Sequence, residues 1–330
     1  MRVLLLRESE IKELLSMRET IAAVEEAFRQ KGEGKVQMPP KSYIFFPKYE
    51  GDFRVMPAYL EVGEEAGVKV VNVHPGNPKR GLPTIMATIL LIDPSTGVPL
   101  AIMGGTLITA LRTGAAGGVA ARYLARKDSR VVGMVGAGVQ ARAQLRALKE
   151  VLEVEKVKVV SAHPSEARKY AEEVRKEHGI EVEEVKGVEE AVRDSDIVVT
   201  TTPSRVPLVR SEWISDGTHL NAIGADAPGK QEMEPELLRR AKVVVDDLEQ
   251  ALHSGEVNVP FSKGLFRKED IYGELGEIVV GKKLGRTSPE EITLFDSTGL
   301  AIQDVAVAWL VYRKAQRLGK GEEIELDLSP

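Results

Sequence analysis

Residues Val131-Val132-Gly133-Met134-Val135 make a short apolar run that turns through Gly136 and Gly138. The chain then enters Arg142-Ala143-Gln144-Leu145-Arg146-Ala147-Leu148, which has helical spacing. Together they read G-x-G-x-x-A between a strand and a helix, the context a dinucleotide-binding turn requires. Gly136 permits the tight turn. Gly138, lacking Cβ, lets the backbone approach a pyrophosphate, and Ala141 keeps the helix close to the sheet. The helix start after Ala137, at Val139 and Gln140, offers unpaired N–H groups and a partial positive charge to phosphates.

Downstream of Ser129, strands alternate with helices. Strands are expected at Lys156–Ser161, Ile180–Glu184, Asp196–Thr201, Thr218–Gly224 and Lys242–Val245, with helices at Pro164–Glu177 and Val188–Arg193. Further strands are expected at Gly276–Val280 and Ile292–Asp296, before an apolar helix Ala301–Leu318. This alternation predicts an α/β fold with a doubly wound, mostly parallel sheet of the Rossmann kind.

The stretch before it is different. Met1–Leu6 reads as a first strand, and Ser9–Gly34 as amphipathic helix broken near Met17. Closely spaced strands follow at Lys41–Pro47, Phe53–Leu60, Gly67–Val73, Thr84–Asp93 and Pro99–Met103, predicting an antiparallel or mixed sheet. From Thr106 the chain turns to small residues, Leu111 to Ala121, which suit close helix packing and put Arg112 near the helix start. The long helix after Leu300 is expected to rejoin the first domain. We therefore expect a discontinuous α+β domain of 1–112 and 301–330 around a dinucleotide-binding domain of 113–300. Gly319–Pro330 reads as a loose tail.

Composition narrows the partners. A net charge of -5 with both signs interspersed leaves no basic stripe for nucleic acid. No apolar run is long enough to span a membrane, and Met1–Leu6 is too soon followed by Arg7-Glu8 for a signal peptide. Zero cysteines exclude disulfides and thiolate chemistry. The simplest compartment is the cytosol, and abundant Lys, Arg and Glu suit a hot environment. The five histidines show no tight ligand pair, so no metal is expected. His74 reads as ordering a loop. Tyr43, Phe45 and Phe46 read as core or interface, and Glu181–Val185 as a solvated edge.

Ligands of such folds sit beyond the C-terminal strand ends. Three ends here are rich in chemistry. Thr201, Thr202 and Pro203 lie in a stretch whose hydroxyls could line ribose or phosphates, or simply cap a turn. Ala225-Asp226 ends a strand in a loop with two glycines and a proline, which either positions a carboxylate or makes an Asx turn. Asp296-Ser297-Thr298-Gly299 closes the last strand, where helix capping is the alternative. After the second strand, Ser161 and His163 stand where an acid would bind the adenosine 2′-hydroxyl. They tolerate a 2′-phosphate, so the expected cofactor is NADH, NADPH or both, with no exclusive preference for NAD.

The first domain contributes the cations Lys41, Arg54, Lys69 and Arg112. Lys69 lies in an otherwise apolar strand, where an unpaired ammonium is costly. It must meet an anion, either a structural Asp or Glu or a ligand carboxylate. The same reasoning applies to Arg54 between Phe53 and Val55. Together these cations could clamp a carboxylate.

Arg54-Val55-Met56-Pro57-Ala58, Gly67-Val68-Lys69, Thr109 to Ala115, Gly136-Ala137-Gly138, Asn221 to Asp226, Asp246-Asp247 and Phe295 to Gly299 occur together and in order. Over nearly its whole length the chain thereby resembles the ornithine cyclodeaminase/mu-crystallin family, on the side of its alanine dehydrogenases and Δ1-pyrroline-2-carboxylate reductases. The resemblance implies a homodimer whose terminal domain supplies substrate contacts and the dimer interface. It implies that Lys69 and Arg112 hold a substrate carboxylate and that Asp226 handles the amine or a catalytic water. It also places Met56, Thr298 and Gly299 with the substrate, and Thr113, Ala225 and Ser297 with the cofactor. Arg54 stands where the cyclodeaminases carry a glutamate that recognises ornithine, and an arginine would repel the ornithine ammonium. The reaction expected is reduction of a cyclic 2-imino acid, Δ1-pyrroline-2-carboxylate, to L-proline, because a preformed imine needs only hydride, a proton and a carboxylate clamp. The alternatives are alanine dehydrogenation and a mu-crystallin-like role as a small-ligand binding protein.

Overall fold

In the computed structural model, which describes residues 1–327, the chain opens with β1 (Arg2–Leu6), α1 (Glu8–Leu14) and α2 (Met17–Glu33). Ser16 makes the break between the helices. Its Oγ accepts the Glu19 N–H, and the Glu19 carboxylate reaches back to the Ser16 N–H. Then come β2 (Val36–Gln37), β3 (Ser42–Phe46), β4 (Gly51–Leu60), β5 (Glu65–Val73), β6 (Ile85–Ile92) and β7 (Pro99–Gly104). Helix α3 (Thr106–Leu124) follows at once. The Glu8 carboxylate caps it, accepting the Thr106 and Leu107 N–H groups at 2.7 and 3.1 Å, where a negative charge also suits the helix dipole.

From Val131 the elements alternate as β8 (Val131–Val135), α4 (Val139–Val151), β9 (Lys156–Val160), α5 (Pro164–His178), β10 (Glu181–Glu184), α6 (Val188–Val192) and β11 (Ile197–Thr200). Next are β12 (His219–Ala222), α7 (Pro235–Arg240), β13 (Lys242–Val245), α8 (Leu248–Ser254) and α9 (Asn258–Ser262). The region ends with β14 (Gly273–Glu274), α10 (Leu275–Val279) and β15 (Thr293–Asp296). Every strand pair here is parallel, in the order β10-β9-β8-β11-β12-β15-β13-β14. The order reverses between β8 and β11, the place where doubly wound sheets bind ligands. One core, with Val132, Met134, Leu145, Val157 and Tyr170, is distinct from a second, with Val135, Val198, Leu220, Leu237 and Val243. Successive residues of β8 thus enter different cores, as a sheet buried on both faces requires.

The last elements are α11 (Ala301–Leu318) and β16 (Glu322–Glu325). The latter joins the mixed sheet β16-β1-β7-β6-β5-β4-β2, with β3 beside β4. Only β1 and β7 run parallel in it; the other pairs are antiparallel. The compact units are Met1–Arg112 with Leu300–Pro330, and Thr113–Gly299. Helix α11 lies over β5. Val305 packs against Gly67, Trp309 donates its Nε1–H to the Ala66 carbonyl at 3.1 Å, and Arg313 pairs with Glu65 at 2.8 Å. These three residues are spaced by four, so one face of the helix tracks the strand.

Three expectations need correction. Gly276–Val280 is not a strand: Glu274 and Glu277 form a capping box that starts α10, and only Gly273-Glu274 pairs with β13. Gly319–Pro330 is not a loose tail as far as the described residues reach. Its β16 pairs with β1, Arg2 and Arg7 meet Glu323 and Glu322, and residues 328–330 lie outside the described part. Of the two readings of Tyr43, Phe45 and Phe46, core or interface, only the core is overturned: none is buried, and Phe45 is 61% exposed on β3, which pairs with β4. The acidic run does form the sheet edge, with Val182 its one buried residue between Glu181 and Glu184. The small-residue part of α3 packs closely on α4, since a Cβ on Gly118 would sit 3.0 Å from that of Ala147. No helix among the described residues is long and apolar enough to cross a membrane.

Candidate active site

Lys69 points from β5 to the buried side shared with Gly67 and Val71, the side that α11 covers. The anion it meets belongs to the protein. Lys69 Nζ is 2.6 Å from Asp304 Oδ2, and both side chains are fully buried. The other oxygen, Oδ1, accepts from Arg112 Nε at 3.0 Å. Arg112 Nη1 donates to Gln303 Oε1 at 2.9 Å. One carboxylate thus joins the two cations, and with Lys69 protonated the cluster carries one net positive charge. Burial, then the nearby Arg112 guanidinium, push the Lys69 ammonium down to about 7, against the opposing pull of Asp304.

Met56 stands opposite Lys69 in the β4–β5 register and is buried. Arg54 is engaged elsewhere. Its Nε and Nη2 donate to the two Asp52 oxygens at 2.9 and 3.4 Å, and its guanidinium lies over the Tyr43 ring. That pairing answers the burial argument for Arg54 without a ligand. Lys41 lies just before β3 and is half-buried.

In the second unit, Gly136 closes the turn after β8 at φ 104°, in the left-handed region, and its N–H donates to the Val160 carbonyl. A Cβ there would lie 2.5 Å from Thr201 Oγ1. Gly138 has an ordinary φ of -84° and is the N-cap of α4; a Cβ there would meet nothing within 4 Å. Protein packing does not require this glycine, and the open position leaves the backbone free for a ligand to approach. Ala137 is buried, Val139 is exposed, and Gln140 Oε1 is buried without a hydrogen-bond partner. An open backbone at a helix N-terminus with an unused polar atom beside it fits a dinucleotide pyrophosphate. Ser161 follows β9 directly, and the His163 N–H donates to its Oγ at 3.2 Å where α5 begins.

Buried carboxylates tie the other strand ends together. Glu232 accepts the Thr202 N–H and hydroxyl, at 2.6 and 2.7 Å, and the Gly224 N–H at 2.9 Å. The Thr202 hydroxyl is thus spent on loop structure, while that of Thr201 donates to Val135 O at 3.3 Å and Pro203 follows in the same loop. Glu256 accepts the Glu232 and Met233 N–H groups. Burial first, then the Glu232 charge, raise its carboxyl well above the usual range. Asp296 holds the Glu256 and Val257 N–H groups. Asp246 holds Thr298 through N–H and hydroxyl at 2.8 Å each, and the Gly299 N–H at 2.7 Å. Ser297 Oγ is buried beside them without a hydrogen-bond partner. Ala225 is buried. Asp226, partly exposed, pairs with Lys230 at 2.6 Å. Thr113 accepts from Gln144 Nε2, the end of a polar chain that runs through Asn221 to His219. Burial pushes that histidine down to about 3, so it is neutral.

Sequence reasoning missed Gln303, Asp304, Glu232 and Glu256. Only Asp304 and Gln303 left a signal, as a polar pair in an apolar helix. An acid in a first helical turn reads as a dipole partner, which hid it. Among the described residues no three His, Asp or Glu side chains are grouped to hold a metal ion.

Comparison with known proteins bears on what this arrangement does. The sequence model of the ornithine cyclodeaminase/mu-crystallin family matches residues 1–319. An alanine dehydrogenase of Archaeoglobus fulgidus is 54% identical over 98% of this chain and 99% of its own. An archaeal alanine dehydrogenase dimer solved with bound NAD has a TM-score of 0.95 at 53% identity, over 99% of this chain and 100% of that one. The Thermococcus litoralis Δ1-pyrroline-2-carboxylate reductase, solved with NADH and L-proline, has a TM-score of 0.95 at 47% identity, over 98% and 100%.

Proposed function

The chain belongs to the ornithine cyclodeaminase/mu-crystallin family and is an NAD(P)-dependent oxidoreductase of imine or amino groups; within that class we propose that it reduces Δ1-pyrroline-2-carboxylate to L-proline. The observation that carries this reading is the buried Lys69–Asp304–Arg112 cluster. Its one net positive charge matches one substrate carboxylate, and burial makes that match selective because an unbalanced charge there is costly.

Lys69 and Arg112 hold the carboxylate through charge-assisted hydrogen bonds and so fix the position of the adjacent imine carbon. A nicotinamide cofactor held at the Gly136–Gly138 turn would supply the hydride. Asp226, directly or through water, keeps the imine nitrogen protonated and accepts a proton in the reverse direction. Lys230 pairs with that carboxylate at 2.6 Å. We also read the chain as a homodimer, supported by the exposed Ile44 and Phe45 on β3.

Alanine dehydrogenation is the second reading, favoured by the greater identity to the Archaeoglobus enzyme. It needs ammonia to exchange at an oxo acid, and the cluster offers no separate group for that. The test is oxidation of NADH and of NADPH with Δ1-pyrroline-2-carboxylate and, separately, with pyruvate plus ammonia. Fast turnover of the cyclic imine with negligible pyruvate activity supports the reductase. The reverse result makes this an alanine dehydrogenase.

A further inference from the structure

The first turn of α11 carries a side chain with half of its amide accounted for. Gln303 is fully buried, and its Oε1 accepts from Arg112 Nη1 at 2.9 Å and from the Leu300 N–H at 3.3 Å. Both neighbours can only donate, so the carbonyl oxygen must face them and the amide cannot be turned over. That fixes Nε2 on the opposite branch of the planar group. Nε2 is shut off from solvent and has no hydrogen-bond partner. Its neighbour Asp304 has committed both oxygens, one to Lys69 and one to Arg112. A buried N–H group without an acceptor is unfavourable, and native structures rarely keep one unless something binds there.

We propose that Gln303 Nε2 is a substrate-binding donor, the third one offered to the substrate carboxylate beside Lys69 and Arg112. The inference rests on the reading of those two cations as the carboxylate anchor. A neutral amide adds a directed hydrogen bond without adding charge. The cluster keeps one net positive charge, and the carboxylate gains a third, directed contact.

Two variants separate this role from a purely structural one. Gln303→Glu keeps an oxygen for Arg112 and Leu300 but sets a second oxygen where the donor was. Gln303→Met keeps length and neutrality and removes the donor. Binding of L-proline and of pyruvate to the NAD-loaded protein is measured by calorimetry, which needs no turnover, together with the thermal midpoint and the KM for NADH. Both variants should bind the carboxylate ligands about ten- to a hundredfold more weakly, as expected for loss of a hydrogen bond to a charged group. The KM for NADH should stay near its wild-type value, and Gln303→Glu should melt like wild type. Wild-type ligand affinity in Gln303→Glu overturns the proposal, because a structural glutamine needs only its acceptor. Gln303→Glu also cancels the positive charge of the cluster, so weak binding there supports the donor role only together with weak binding in Gln303→Met, and wild-type affinity in either variant overturns it. Wild-type protein that binds neither ligand overturns the donor role along with the anchor. Wild-type protein that binds them but turns over no 2-imino acid overturns only the functional reading.

Discussion

Lys69 Nζ lies 2.6 Å from Asp304 Oδ2 with both side chains wholly out of solvent, so an apolar strand and an apolar helix each spend a charge on the other. Arg112 shares the same carboxylate. This three-charge unit links the packing of α11 on β5 to the chemistry proposed for the site, and its consequences can be measured.

The first concerns pH. Lys69 in the folded protein loses its proton as pH rises through about 7, against 10.5 for an ordinary lysine. Carboxylate binding needs the charged form, so kcat/KM should fall above about pH 7. Asp304 raises the Lys69 value, so Asp304→Asn should move this falling limb to lower pH. A limb that stays in place assigns it to another group. Stability carries the opposite sign. Between about 7 and 10.5 the unfolded chain holds a proton that the folded one lacks, so the Lys69 contribution to stability rises with pH over that window.

A second prediction separates charge balance from packing. Asp304→Ala leaves two buried cations without their shared anion and should cost about 3–5 kcal/mol in denaturant unfolding. The double variant Lys69→Met with Asp304→Leu removes one charge of each sign and fills the space. It should be more stable than Asp304→Ala alone while losing imine reduction. A double variant no more stable than Asp304→Ala would show that charge imbalance is not what the single substitution costs.

The two glycines of the nucleotide turn should respond differently. Gly138→Ala meets no protein atom and has an ordinary φ, so unfolding free energy should change by no more than about 0.5 kcal/mol while NADH affinity drops. Gly136→Ala combines a positive φ with a close approach to Thr201 Oγ1, and should destabilise the protein by more than about 1 kcal/mol. Unchanged NADH titration of Gly138→Ala would move the pyrophosphate away from this turn.

Cofactor choice is the fourth. With Ser161 and His163 after β9 and no acid in that segment, NADH and NADPH should both be oxidised. Ser161→Asp introduces a carboxylate that accepts from a 2′-hydroxyl and repels a 2′-phosphate. Steady-state rates should then fall for NADPH and hold for NADH. Equal losses for both would mean that position 161 does not face the adenosine ribose.

Much of this molecule was legible in its one-dimensional pattern. The turn at Gly136 and Gly138, the helix break near Met17 and the apolar helix Ala301–Leu318 are local events, decided by residues within a few positions of each other. The cost of an unpaired ammonium in an apolar strand was likewise readable at Lys69, and it correctly demanded an anion. Which anion was another matter. Asp304 lies far along the chain from Lys69 and meets it only because α11 lies along β5, and no spacing rule reaches that far. The same holds for β15, inserted between β12 and β13 ahead of its place in the chain, and for β16, whose few residues become a strand only when β1 offers its edge. The sequence by itself determined most of the elements, the alternation and the demand for charge compensation, because these depend on local backbone geometry and solvation. The tertiary structure decided which groups supply the compensation, because pairing across the chain depends on where folded elements come to rest.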